Sequence, residues 1–194
     1  MKTLLILILA YFIGAIPNAF ILVKIFYGRD IRGIGSRTAC GMNVAEILSF
    51  GLGLLTVFLD ILKAVLVMLL AKYWVGTSFA MVLAPVLTVA GDIWSPFLQF
   101  KGSKGLAPII GILLIIKWPA ALWLSVLFIL ALFLAKESNF ATEISFLGLP
   151  FITWWQLGGA WGFFSGLIFL SPIIVQALPI RKNILPQKIV GHIF

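Results

Sequence analysis

The sequence predicts an all-α integral membrane protein: a compact bundle of about seven transmembrane helices, N-terminus outside and C-terminus cytoplasmic, forming one polytopic domain over residues 1–194. Three observations lead there. Hydrophobic residues make up 62% of the chain and charged residues only 10%, at a mean hydropathy of +1.18; soluble domains carry about a quarter charged residues. Apolar runs of span length recur between short polar breaks. Basic residues collect at the ends of those runs, mostly on one side.

The first run extends from Thr3 to Phe26. Lys2 and the apolar stretch Leu4–Ala10 are compatible with a signal peptide, but apolar residues continue to Phe26, which is long enough to span. The second expected span is Ala45–Ala71, carrying Asp60 and Lys63, and the third is Ser78–Gln99. Leu106–Ile116, entered through Gly-Leu-Ala-Pro108, and Pro119–Ala135 are the fourth and fifth. Ile144–Leu178 is too long for one helix and is expected to fold back at Gln156-Leu157-Gly158-Gly159 into two. No internal repeat, linker or low-complexity segment interrupts the series.

Orientation follows from the charges. One face receives Lys24, Arg29, Arg32, Arg37, Lys101, Lys104, Lys136, Arg181, Lys182 and Lys188; the other receives Lys2, Lys72 and Lys117. Ten against three in short loops places the richer face in the cytoplasm.

The same distribution argues against nucleic acid as a partner, although the net charge is +8. The cations sit singly or in pairs at span ends, without the dense patch a duplex backbone demands. The single Cys40 excludes an internal disulfide framework. His192 is the only histidine, and the six acids form no obvious acid/base pair, so a histidine triad or a zinc site has little to work with. The Walker pattern is absent, since Gly105 follows Lys104. No metal or cofactor is expected.

The cytoplasmic segments are where chemistry can be placed. Phe100-Lys101-Gly102-Ser103-Lys104-Gly105 sets two lysines among small residues, and such residues let backbone N–H groups approach an anion. The first loop, Gly28 to Asn43, has glycines at 33, 35 and 41 and hydroxyls at 36 and 38. Lys136 to Glu143 and Ile180 to Ile184 complete one polar face suited to a phosphate ester at the lipid interface. Asp60 and Lys63, three apart on one helical face, are either a functional pair within the membrane or a self-neutralising one. Lysines and arginines at span ends are, taken singly, ordinary membrane anchors.

On these residues the chain resembles the PlsY family, the bacterial membrane acyl-phosphate:glycerol-3-phosphate acyltransferases. Gly14-Ala15-Ile16-Pro17 with Gly28-Arg29-Asp30-Ile31-Arg32 is similar to the family's opening. Gly35-Ser36 through Asn43-Val44 occupies its first cytoplasmic motif, and Phe58 to Lys63 its second span. Gly91 to Gly105 resembles its phosphate-binding motif, and Arg181-Lys182-Asn183-Ile184 its C-terminal one. The chain departs from the pattern in several places. Asp92 and Ile180 stand where histidines are usual, and Pro96 sits one place late. Ser103 replaces a glycine, and Arg37 and Thr38 follow Ser36 where Gly and Asn are usual. Glu46 stands near the place of an arginine, and Asn139 and Thr142 replace paired serines.

The resemblance implies transfer of a fatty acyl group from acyl-phosphate to the 1-hydroxyl of glycerol-3-phosphate, giving lysophosphatidate, at the cytoplasmic face of the bacterial plasma membrane and in a monomer. It assigns Ser36, Lys104 and Asn183 to catalysis. Asn43, Lys101, Gly102, Ser103, Gly105, Thr142 and Arg181 are assigned to substrate binding. The missing histidines leave a second expectation open, a non-catalytic relative that binds phosphate-bearing lipids or a partner protein. A small-anion transporter is a third, disfavoured because charge gathers on one face and only Asp60 and Lys63 lie deep.

Overall fold

The structure is a computed structural model that describes residues 1–136, 138–159 and 164–168. Among these, the helices are α1 (Lys2–Ala15), α2 (Asn18–Tyr27), α3 (Gly41–Ile47), α4 (Phe50–Leu70), α5 (Ser78–Ile93), α6 (Leu106–Ala135) and α7 (Ser138–Leu157). Four segments among the described residues are long and apolar enough to cross a membrane: Lys2–Tyr27, Phe50–Val75, Ser78–Leu98 and Leu106–Ala135.

Each expected span is altered by a local rule. Thr3–Phe26 is two helices, because Pro17 lacks an N–H and its ring keeps Ile16 (φ −56°, ψ 116°) out of helical geometry. The second begins at Phe50, not Ala45. Ser49 Oγ accepts the Leu52 N–H at 3.3 Å and caps α4, leaving α3 as a separate short helix. The third ends as an α-helix at Ile93 rather than Gln99, and Pro96 opens a 3-10 turn, Pro96–Leu98. The sixth begins at Ser138 rather than Ile144, which places Asn139 and Thr142 on its first turns.

The fourth and fifth expected spans fall within α6, whose Lys117 is non-helical (φ −157°, ψ 89°). A straight helix of that length would separate its ends by roughly 45 Å. Instead Lys104 Nζ donates to Asn139 Oδ1 at 2.7 Å. The chain therefore reverses at Lys117, and the two halves of α6 run antiparallel. It turns again after α7, where Gly158 (φ 77°) and Gly159 (φ 63°) are left-handed and Gly166 lies back against Pro150 and Thr153.

α1 packs on α5, α4 on α6, and α6 on α7. The first contact is close enough to require glycine: a Cβ on Gly14 would lie 2.1 Å from the Thr88 carbonyl oxygen, and one on Gly91 would lie 2.1 Å from that of Tyr11. Small residues of this kind let helices approach in lipid, where van der Waals contact replaces the hydrophobic drive. Ile6, Ala10, Val67, Ala71, Ala80 and Ala84 fill one end of the bundle. The polar site described next lies toward the other.

Candidate active site

The break at Pro17 leaves the carbonyls at the end of α1 without helical partners. Two buried side chains meet them. Ser95 Oγ donates to the Ala15 carbonyl at 2.6 Å, and Lys63 Nζ donates to that of Ile16 at 3.1 Å. Lys63 also lies 2.9 Å from Asp60 and 2.6 Å from Asp92, all three about 5–6% exposed. Asn18 Nδ2 completes the group by donating to Asp60 at 2.9 Å. Burying one charge alone is prohibitive, so the ammonium and its two carboxylates are held together. Asp60 and Lys63 were expected to be the only deep charges; Asp92 joins them because its partner comes from another helix.

Asp92 also reaches the lysine loop. Its carboxylate accepts the Ser103 hydroxyl, and its backbone carbonyl accepts the Ser103 N–H at 3.0 Å. Gly102 N–H donates to the Ile93 carbonyl at 2.9 Å, Lys101 N–H to that of Leu98 at 3.1 Å, and Gly105 N–H to Ser103 Oγ at 3.1 Å. The backbone N–H groups at 101, 102, 103 and 105 are thus all engaged within the protein. Gly102 and Gly105 accordingly build the loop through these bonds. At Gly102 a Cβ would lie 2.0 Å from the Asp92 carbonyl oxygen, so only glycine fits against α5. Gln99 (φ 54°) and Phe100 (φ 59°) are both left-handed immediately before the lysines, a strained turn of the kind that gathers at functional sites.

The first loop is organised by Asn43, which is fully buried. Its Nδ2 donates to the Ile31, Ile34 and Thr38 carbonyls at 3.3, 3.1 and 2.9 Å, and its Oδ1 accepts the Ser36 N–H at 3.1 Å. Both ends of the amide are spent on the loop, so Asn43 sets Ser36 in place. Ser36 Oγ lies 2.8 Å from Thr38 Oγ1. At the outer edge Arg32 grips Asp30 through its guanidinium, with Nη2 2.6 Å from Oδ2, and donates from Nη1 to the Leu98 carbonyl at 2.7 Å. The hydrogen bonds from Arg32 hold the Asp30 carboxyl below its usual range, and Asp30 in turn raises Arg32.

Three cavities meet at the lysine loop. An apolar one of about 120 Å³ lies between α3, α4, α6 and α7; Ser103, Lys104, Asn139, Thr142 and Cys40 supply most of its polar edge. A wider polar groove of about 530 Å³ is lined by Arg32, Arg37, Thr38, Lys101 and Gly102. Between them a pocket of about 10 Å³ touches Asp60, Asp92, Gly102 and Ser103, room for about one water. Of the expected site residues, Ser103, Lys104 and Thr142 share the apolar cavity, while Lys101 and Gly102 face the groove. Ser36 adjoins the groove through Thr38. Arg181 and Asn183 lie outside the described residues. Thr142 Oγ1 donates to the Ser138 carbonyl at 2.7 Å, leaving its oxygen able to accept. Asn139 and Cys40 were not among the expected site residues, and only the fold brings them to Lys104.

A bundle of apolar helices with lysines set between an apolar cavity and a cationic groove defines an integral membrane protein built to hold a phosphate ester that carries a long apolar chain. The model of the glycerol-3-phosphate acyltransferase family matches residues 4–185, and the chain belongs to that family. It is 36% identical over 149 residues to the glycerol-3-phosphate acyltransferase of Rhodopseudomonas palustris (strain BisB5), covering 77% of this chain and 76% of the relative. Glycerol-3-phosphate acyltransferase 1 of Dehalococcoides mccartyi is 31% identical over 186 residues, 92% of this chain and 89% of its own. Among solved structures, the glycerol 3-phosphate form of PlsY, an integral membrane glycerol 3-phosphate acyltransferase, superposes with a TM-score of 0.74 at 27% identity, covering 95% of this chain and 90% of that one. The lysophosphatidic acid form gives 0.70 at 25% identity, covering 91% and 88%.

Proposed function

We propose that the protein transfers a fatty acyl group from acyl-phosphate to the 1-hydroxyl of glycerol-3-phosphate, releasing lysophosphatidate and inorganic phosphate. The observation that carries this is the position of Lys104. It stands on the edge of an apolar cavity, held by Asn139 at 2.7 Å, one residue from the wall shared with the pocket beneath the polar groove. The acyl chain occupies the apolar cavity and its phosphate meets the Lys104 ammonium. The acceptor's phosphate lies in the groove against Arg37 and Lys101. The hydroxyl oxygen attacks the acyl carbonyl carbon, the bond from that carbon to the phosphate oxygen breaks, and the hydroxyl proton passes to the departing phosphate. Phosphate is a good leaving group, so positioning and charge stabilisation supply the rate without a protein nucleophile. Ser36 and Thr38 present hydroxyls beside the groove, and Thr142 one at the cavity.

The rest of the proposal concerns placement. The chain crosses the membrane about seven times, with its N-terminus outside and its site on the cytoplasmic face of the bacterial plasma membrane, and works as a monomer. The test is acyl transfer by the purified protein in a lipidic medium, from palmitoyl-phosphate to labelled glycerol-3-phosphate. Lys104→Ala is expected to lower kcat by about a hundredfold or more, the loss typical when a preorganised charge-stabilising group is removed. Undiminished transfer by that variant rejects the site. Absence of product from the unaltered protein, with palmitoyl-phosphate still bound, selects the non-catalytic phosphate-ester binder instead; Asp92, engaged with Lys63 and Ser103 where a histidine is usual, is the observation that favours it.

A further inference from the structure

Asp92 does more than neutralise Lys63. It lies in the last turn of α5, and it holds Ser103 at two points, through its backbone carbonyl at 3.0 Å and through its carboxylate. The Ser103 hydroxyl in turn accepts the Gly105 N–H at 3.1 Å. Of the residues on either side of Lys104, Ser103 is thus fastened to that carboxylate directly and Gly105 through Ser103. That carboxylate is itself anchored: Lys63 holds it at 2.6 Å and ties it to Asp60 on α4 and to the open carbonyl of Ile16.

We infer that Asp92 and Ser103 form a clasp that positions Lys104 against the donor phosphate; the inference rests on the role given to Lys104 above. Asp92 lines the pocket of about 10 Å³, room for about one water, and is not among the residues that line the apolar cavity or the polar groove. Ser103 and Lys104 reach the apolar cavity, and Asp92 acts there through Ser103. The clasp is placed where the backbone most needs it. Gln99 and Phe100 before the lysines and Gly105 after them are all left-handed, so the loop cannot take its shape from a regular helix or strand.

The test compares Ser103→Ala, Asp92→Asn and the double replacement with Ser103→Thr, which keeps the hydroxyl. Transfer from palmitoyl-phosphate to glycerol-3-phosphate is measured per folded molecule. Each of the first two is expected to lower kcat about tenfold or more, as for loss of a hydrogen bond to a charged group, while KM for palmitoyl-phosphate moves less. The double replacement is expected to lose less than the two single losses multiplied together, because both weaken the same contact. Ser103→Thr is expected to keep activity within about threefold of the unaltered protein, well inside the loss expected for a broken charged hydrogen bond. An unchanged kcat in Ser103→Ala, or single losses that multiply in the double variant, overturns the clasp. Should Asp92→Asn fail to fold, Ser103→Ala is made in the Lys104→Ala background, where a further loss of residual rate overturns the inference and no loss sustains it. Should the unaltered protein transfer nothing, it is the assignment of transfer that fails. The clasp is then decided by palmitoyl-phosphate binding: weakening in Ser103→Ala but not in Ser103→Thr sustains it, and equal binding overturns it.

Discussion

Cys40 offers a direct probe of the apolar cavity, because it lines that cavity together with Lys104 and Asn139. Burial pushes its thiol pKa up, with hydrogen bonding to the Asn43 backbone and Thr38 only partly opposing the shift. The thiolate is the reactive form, so near pH 7 less of Cys40 is reactive than of an ordinary cysteine. Alkylation by N-ethylmaleimide is therefore expected to be slow at neutral pH. Its rate should keep climbing with pH beyond the point where an exposed cysteine levels off, about 8.5 for an unperturbed thiol. Palmitoyl-phosphate should slow it further by filling the cavity. Rapid labelling at neutral pH, unaffected by palmitoyl-phosphate, would place Cys40 elsewhere. Asn43 illustrates the opposite lesson. Its residue type and position mark it as a ligand, yet all its hydrogen bonds run to the loop backbone. Replacing it with alanine would strip four contacts from a fully buried position and release Ser36, an indirect effect on the site.

Between elements, the contact that brings the site together is α1 against α5. Gly14 and Gly91 let the helices touch backbone to backbone, which sets the broken end of α1 beside Asp92 and Ser95. Gly14→Val forces a side chain into the Thr88 carbonyl. It is expected to destabilise the protein by about 1–3 kcal/mol or more, as overpacking does, and to lower activity with it. Ile13→Val, on the same helix but partly exposed, is expected to be close to neutral. Thermal unfolding in detergent would compare the two, and equal stability of Gly14→Val would refute the close crossing. Much of this level was legible in the sequence, because apolar run lengths report membrane spans directly. The breaks were less so. Pro17 stands in plain view, but an unbroken apolar run on either side hides that it ends one helix and starts another. Lys117 likewise reads as a charge between two runs, and its reversal is visible only because Lys104 meets Asn139. Asp92 was legible as a departure from a motif, while its function as a partner depends on Lys63 lying 29 residues away in sequence.

At the scale of the whole molecule the chain has two unlike ends, and the reversals assign every described cation to one of them. Lys24, Arg29, Arg32, Arg37, Lys101, Lys104 and Lys136 share the end that carries the site, and Lys2, Lys72 and Lys117 share the other, with Lys63 between. Seven against three keeps the asymmetry found in the sequence as a whole, and by the positive-inside rule it supports the proposal that the site faces the cytoplasm. That orientation suits a donor and an acceptor bearing phosphates, which meet fixed cations at the surface while the acyl chain lies in the apolar cavity between the helices. It can be tested because Cys40 is the only cysteine. In a Cys40→Ser background, single cysteines are placed at Gly33, Gly76, Lys117 and Lys136 and treated in intact cells with a membrane-impermeant maleimide. Gly76→Cys and Lys117→Cys are expected to label from outside, and Gly33→Cys and Lys136→Cys only after permeabilisation. Labelling of Lys117→Cys from the cytoplasmic side would mean that α6 does not fold back within the membrane. Labelling of Gly33→Cys from outside would invert the whole bundle and remove the site from the face proposed for it.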